Sequence, residues 1–318
     1  QREAQFHSVN LGGFRFYEKE QYLDPSFLFC EPTKDTMIRW TPTENLVSNE
    51  VIYVPGAAVW MPYYYDLGAG EVPIMQPIST GLACHCSYEE SILGGLLEVI
   101  ERDSFSMTWQ GRLSWPLIRT ESLDAENYNL LTKIEDTGYS VDLVNASTDV
   151  GVPVILTIGR AKNSPNPPIV VGASSSLDPT EAVKKSLEEW VHTRRYMREV
   201  QDWGEPFIVE KDYSNIHQQI HHLRLWGNYE MLPLADFLTS NEETIDFADI
   251  KNHSTGTALG DLHHIINVLD KRGFAALFAD LTTPDVASMG LCVTRSLVPG
   301  LHPFFIGHEN RARCYSRL

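Results

Sequence analysis

The chain has 318 residues, 43% of them apolar, enough to bury a sizeable core in one large domain. It carries 25 Lys and Arg against 42 Asp and Glu, a formal charge of −17, with no basic cluster beyond the mixed run from Arg194 to Arg198. That balance argues against nucleic acid as a partner. No stretch approaches the roughly 20 apolar residues that span a bilayer, so no membrane association is expected. The odd, scattered cysteines Cys30, Cys84, Cys86, Cys292 and Cys314 suit a reducing cytoplasm, not a disulfide framework. Cys84-His85-Cys86 lacks the spacing of a structural zinc site.

In chain order, β-branched and apolar runs bounded by proline and glycine predict strands over 51–59, 141–145, 153–158 and 169–172. Periodicity predicts helices over 123–137 and 259–272, and strands return over 275–280 and 290–298. The proline cluster at 163–168 reads as a turn between two strands. This mixture of strands and helices along the chain predicts an α/β sandwich, built on an internal duplication.

The duplication is explicit in two segments 91 residues apart. Gly81 is followed at fixed offsets by Ser87, Glu90, Ile92, Leu96, Glu98 and Glu101; Gly172 is followed at the same offsets by Asp178, Glu181, Val183, Leu187, Glu189 and His192. Each reads as a glycine turn feeding a helix. Ser87 with Glu90, and Asp178 before Pro179, are helix-start signals, and capping alone accounts for them. At about 100° per residue, Ser87, Glu90, Glu98 and Glu101 fall within an arc of roughly 80°, opposite Ile92, Leu96 and Ile100.

A carboxylate stripe is commonly just a solvated face, and Glu98 with Arg102 is an ordinary i,i+4 pair. Glu98 and Glu101, however, repel at i,i+3 beside Gly94 and Gly95, two poor helix formers. A bound cation would relieve that repulsion, and glycine within the arc would let a ligand approach. Mg²⁺ fits, because it takes one or two carboxylates and completes its shell with water and phosphate oxygens. The second segment sets Glu181, Glu188, Glu189 and His192 on one face, with Arg194, Arg195 and Arg198 beyond as phosphate partners or as counter-ions to the surplus acids.

Several motifs resemble those of the YcaO-domain family. The central one comprises Ser79-Thr80-Gly81-Leu82-Ala83-Cys84, Ser87-Tyr88-Glu89-Glu90 and Gly95-Leu96-Leu97-Glu98-Val99-Ile100-Glu101-Arg102-Asp103. Trp40-Thr41-Pro42, Leu177-Asp178-Pro179-Thr180-Glu181-Ala182, Asp280-Leu281-Thr282-Thr283-Pro284-Asp285, and Arg295 through Val298-Pro299-Gly300-Leu301-His302-Pro303 add to it. The last run looks most like the branch that forms azoline heterocycles in ribosomally made peptides.

The resemblance implies one YcaO-type domain over residues 1–318, an α/β sandwich in which a strand-turn-helix unit that binds nucleotide and metal is duplicated. Members of the family begin with a glycine- and lysine-bearing segment and an earlier glutamate-rich helix, and heterocycle-forming members often end in a proline-rich tail. Neither is found here and the chain starts without methionine, so an N-terminal segment and a C-terminal tail are expected outside it. The implied activity is an ATP- and Mg²⁺-dependent cyclodehydration. A Cys, Ser or Thr side chain of a precursor peptide attacks the preceding amide carbonyl, and the oxygen is phosphorylated and eliminated, leaving a thiazoline or oxazoline. By position, Glu98, Glu101 and Glu189 would hold Mg²⁺. Ser87, Glu90, His192, Arg194 and Arg295 would bind ATP, His192 standing where members usually carry Gln. No residue is assigned as acid or base. Implied partners are the precursor peptide, a leader-peptide-binding protein, a flavin-dependent azoline dehydrogenase and a second copy of the chain. Thioamide or amidine formation, and a noncatalytic peptide-binding scaffold, are the alternatives.

Overall fold

The computed structural model describes residues 11–14, 16–33, 35–163, 166–203, 207–314 and 317. In chain order these form α1 (Lys19–Leu23), β1 (Trp40–Asn45), β2 (Val51–Pro55), α2 (Gly56–Val59), β3 (Leu82–His85), α3 (Tyr88–Gly111) and β4 (Leu117–Ile118). Next come α4 (Ala125–Glu135), β5 (Tyr139–Asn145), β6 (Val154–Ala161), β7 (Ile169–Ser175), α5 (Pro179–Trp203), α6 (Gln219–Trp226) and β8 (Thr244–Ile245). The chain continues through α7 (Ala258–Lys271), β9 (Leu277–Asp280), α8 (Pro284–Ser288) and β10 (Cys292–Leu297). Short 3-10 turns fill several of the gaps.

The residues group into two compact units. One takes in the described chain up to Asp103, Thr255–Phe305 and the described residues from Asn310 onward; the other comprises Ser104–Ser254 and Ile306–Glu309. The first holds a five-stranded sheet in the order β2-β1-β9-β10-β3, all pairings antiparallel. Its apolar core gathers Phe14, Phe16, Tyr17, Val54, Ile74 and Leu277. The second holds a sheet in the order β7-β6-β5-β4-β8, antiparallel except for the pairing of β4 with β8. Its core forms around Tyr139, Leu143, Ile155, Leu187 and Trp190. In each unit, the edge strand that leads directly into a long helix is the one bearing the repeat: β3 into α3, β7 into α5. The duplication is therefore one of architecture as well as of residue offsets.

Two local expectations change. The run predicted as one strand over 51–59 stays extended only to Pro55, then turns into α2, with Gly56 N–H donating to Arg39 O (2.8 Å). Gly172 is not in a turn but lies within β7. Glycine is needed there because a Cβ would come within 2.6 Å of Trp190 N on α5. Gly81 does turn, at φ +88°, a conformation that suits glycine.

The five cysteines are free thiols, Cys292 buried and the others exposed. No helix among the described residues is long and apolar enough to cross a membrane.

Candidate functional site

The carboxylate stripe lies on α3 within the first unit. Ser87 starts the helix: its Oγ accepts from Glu90 N–H (3.2 Å) and donates to Glu90 Oε2 (3.0 Å). His85 Nδ1 lies 3.5 Å from the same carboxylate. Ser87 and Glu90 are thus engaged as a cap. The opposite side of the helix is buried through Ile92, Leu96, Val99 and Ile100. Ser91 Oγ donates to Ala83 O (2.9 Å), and Ser296 Oγ donates to Ile92 O (3.1 Å), fastening α3 over β3 and β10.

Gly95 makes that close approach possible, since a Cβ would lie 2.6 Å from both Gly81 O and Ser296 Oγ. A Cβ on Gly94 would meet only Ala83 Cβ, at an ordinary 3.7 Å. Packing therefore explains Gly95, and Gly94 is the position where the helix surface is left open.

Further along the stripe, Glu98 Oε2 accepts the N–H of Gly81 (2.9 Å), tying the carboxylate to the glycine turn. Arg102 answers the repulsion between the two acids, with Nη1 3.2 Å from Glu101 and Nη2 3.7 Å from Glu98. The Arg102 guanidinium also lies over the ring of Phe304, 5.4 Å from its centre. Glu101 is nearly buried, its side chain 12% exposed, and Glu98 retains 29%.

Arg295 on β10 is the unusual charge in this unit. It is 3% exposed, and neither its Nε nor its Nη1 has a hydrogen-bond partner among the described residues. Burial pushes its guanidinium down to about 10, with the charge of Glu98 opposing the shift. A buried cation with open donors costs stability unless something anionic completes it. Phosphate oxygens match that need, and bidentate geometry is what guanidinium offers them.

The second copy, in the other unit, has a different character. α5 buries Ala182, Val183, Leu187, Trp190 and Met197, leaving Glu181, Glu188, Glu189 and His192 exposed, as the periodicity predicts. Arg194 is engaged within its own unit: its guanidinium lies 5.3 Å from the ring centre of Tyr139, and Nη2 reaches Asn166 Oδ1 at 3.4 Å, although Nε lacks a partner among the described residues. Among the described residues no three His, Cys, Asp or Glu side chains form a group that could hold a metal. Mg²⁺ asks less of the protein, one or two carboxylates beside water and phosphate, and Glu98 with Glu101 can supply those.

Two buried carboxylates escaped the sequence reading. Glu71, 3% exposed, accepts from Arg39 N–H (3.0 Å), Arg39 Nε (2.9 Å), Asp66 N–H (2.8 Å) and Tyr63 OH. Burial alone would raise its pKa, but those hydrogen bonds and the Arg39 charge hold it below its ordinary value. Asp103, fully buried one turn beyond Val99, accepts from His302 N–H (2.7 Å) and from Arg317 at both oxygens (2.8 Å each). Burial, outweighing these partners, raises its pKa. Asp103 and His302 lie in quoted motifs; Glu71 had no signal beyond its being an isolated acid. A cavity of about 360 Å³ in the second unit, lined by Phe207, Lys211, Tyr213, Asn228, Glu230 and Met231, involves none of the residues predicted for the site.

A family model described as YcaO cyclodehydratase, ATP- and Mg²⁺-binding, matches residues 2–302. The chain belongs to the YcaO family. An uncharacterised protein of Methanothermobacter thermautotrophicus is 28% identical over 301 residues, 92% of this chain and 73% of that one. The fold is that of a heterocyclase solved in complex with substrate and cofactor (TM-score 0.80, 20% identity, 94% of this chain and 39% of that one). It is also similar to YcaO from Methanopyrus kandleri bound with AMPPCP and Mg²⁺ (TM-score 0.66, 22% identity, 91% and 72%). This YcaO chain thus spans about two fifths of the heterocyclase's length.

Proposed function

We propose that this YcaO protein binds Mg-ATP and uses it to activate a peptide amide, closing a Cys, Ser or Thr side chain onto the preceding carbonyl to form an azoline. The observation that carries the reading is Arg295, a buried guanidinium with two partnerless nitrogens, on a strand packed against the helix of Glu98 and Glu101. In this reading Glu98 and Glu101 hold Mg²⁺, with Gly81 N–H fixing the Glu98 rotamer, and Arg295 meets phosphate oxygen. Glu189 and His192 enter the reading through their offsets in the repeat and through family membership, and Arg194 through family membership alone. Bound nucleotide would supply the phosphoryl group that turns amide oxygen into a leaving group. The residues contribute fixed charge, aimed before reaction and needing little reorganisation during it.

The reading includes a ribosomal precursor peptide as substrate and a separate or fused leader-binding protein that raises the local concentration of that peptide. The test combines calorimetry of Mg-ATP binding with mass spectrometry of the peptide, with and without such a partner. Loss of one water per ring, with phosphate released in step, is the expected result. Exchange of oxygen for sulfur would replace azoline formation with thioamide formation, and absence of Mg²⁺-dependent nucleotide binding would remove the reading altogether.

A further inference from the structure

Two hydrogen bonds fix which way the backbone of β3 faces. Ser296 N–H donates to Gly81 O (2.8 Å), while Leu281 N–H donates to Val293 O (2.9 Å). Along β10, residues 292, 294 and 296 therefore turn their main-chain groups toward β3, and 293, 295 and 297 toward β9. With Thr294 opposite Ala83 and Cys292 opposite His85, the groups of Ala83 and His85 meet β10, and those of Leu82 and Cys84 point away from the sheet.

Among the described residues β3 is the last strand of its sheet, so that outward side is an open edge. The Leu82 N–H is taken by Ser79 O (2.9 Å), leaving the Leu82 carbonyl and both main-chain groups of Cys84 without a main-chain partner among the described residues. α3 covers a face of β3 and not this edge, and Cys84 and His85 are exposed. Open edges are usually blunted by lysine, proline or a bulge; the sequence Leu82-Ala83-Cys84-His85 has none of these.

We propose that this edge receives the peptide substrate as an added strand, an inference that rests on the function proposed above. An extended peptide presents donors and acceptors at a two-residue repeat of about 7 Å, the repeat on which Leu82 and Cys84 offer theirs. The strand also leads to the proposed chemistry, since the chain just before Leu82 is Gly81, whose N–H is bound to Glu98. Three extended residues cover about 10 Å, so a peptide paired along Leu82 to Cys84 carries one of its amides up to the Glu98 end. Recognition through main-chain groups also suits a reaction whose target is the backbone itself.

Cys84→Pro tests the edge, because proline is tolerated where N–H faces away from the sheet; it removes the outward donor and leaves the β10 ladder in place. The probe is a fluorescein-labelled decapeptide with one central cysteine, titrated without nucleotide, with Mg-ATP binding measured separately. Peptide affinity is expected to fall at least tenfold in Cys84→Pro and to stay within about twofold of wild type in Cys84→Ser. An independent arm uses decapeptides N-methylated on alternate residues: one register is expected to lose binding and the other to keep it, whether or not the proline variant folds. Equal binding by both registers, no saturable binding to the wild type, or a proline variant that only dissociates a dimer would overturn the proposal. Loss of Mg-ATP binding in the wild type would instead count against the function on which it rests.

Discussion

Arg295→Met separates stability from function, because the structure gives the arginine a burial cost and leaves two of its nitrogens without a hydrogen-bond partner among the described residues. A fall to about 10, from an ordinary guanidinium value above 12, corresponds to about 3 kcal/mol at roughly 1.4 kcal/mol per unit. The native pKa is depressed, so at neutral pH the group is charged in both states and the folded state carries the whole penalty. That penalty is relieved only as pH rises through 10 toward the unfolded value. Methionine fills a similar volume without the charge, and such replacements of buried ions are often neutral or stabilising by about 1–4 kcal/mol. Glu98 loses a favourable neighbour but keeps Gly81 N–H and Arg102. Urea unfolding of the nucleotide-free variant is therefore expected to show stability equal to wild type or greater by up to about 3 kcal/mol. With Mg-ATP at a hundredfold excess over its Kd, wild type gains about 2.7 kcal/mol, and Arg295→Met gains none. A variant less stable than wild type by more than about 1 kcal/mol, or one that keeps the nucleotide-induced gain, would refute the reasoning.

Glu98→Gln and Glu101→Gln are each expected to lower ATP-dependent phosphate release by about a hundredfold or more with the far-ultraviolet spectrum unchanged; full turnover in either would break the ligand assignment. Gly172→Ala is expected to unfold at markedly lower urea, since its Cβ would press on Trp190 N at 2.6 Å and α5 must move. Gly94→Ala, with ordinary space around its Cβ, is expected to gain up to about 1 kcal/mol, and a loss of Mg-ATP affinity in that variant would show that the opening admits ligand. In the second unit, burial, with a smaller contribution from His221, pushes His222 down to about 4, and its Nε2 accepts from Gly307 N–H (3.1 Å). The folded pKa is below the unfolded one, so this contribution is present above about 6.5 and is lost as pH falls through 4, amounting to at most about 3 kcal/mol. Denaturation midpoints measured across that window are expected to fall in wild type and to fall less in His222→Gln.

The long elements were legible because helix starts and periodic faces are local properties. Ser87 and Pro179 mark the entries of α3 and α5, and the buried sets on both helices follow the 3.6-residue period. β1 was missed because Pro42 reads as a strand breaker. The register explains its tolerance: Leu46 N–H donates to Ala276 O, so residue 42 faces the β9 side, where β1 is paired only at Glu44 and Asn45. No ladder bond is lost. Gly172 was read as a turn because its need is a helix packed against a strand, a contact that sequence spacing does not reveal. At the site, the motif marked Arg295 but not its burial, and Arg102 between Glu98 and Glu101 emerges only once side chains have direction.

The two copies of the repeat agree best where they pack and differ most where they carry charge. Gly81 with Gly95 and Gly172 each remove a Cβ that would collide with a helix or strand, so the shared offsets are first a solution to laying a long helix over an edge strand. On that scaffold, the first copy holds its acids in place: Glu98 is tied to a backbone N–H, Glu101 is nearly buried, and Arg102 bridges them. The second leaves Glu189 and His192 exposed, with no hydrogen bond or ion pair among the described residues. Ordering a free glutamate costs roughly 1.5–2 kcal/mol in rotamer entropy, a cost the first copy has already met on folding. Preorganisation in this chain therefore resides in the α3 copy together with Arg295, whereas the exposed acids of the α5 copy keep their rotamer freedom on folding.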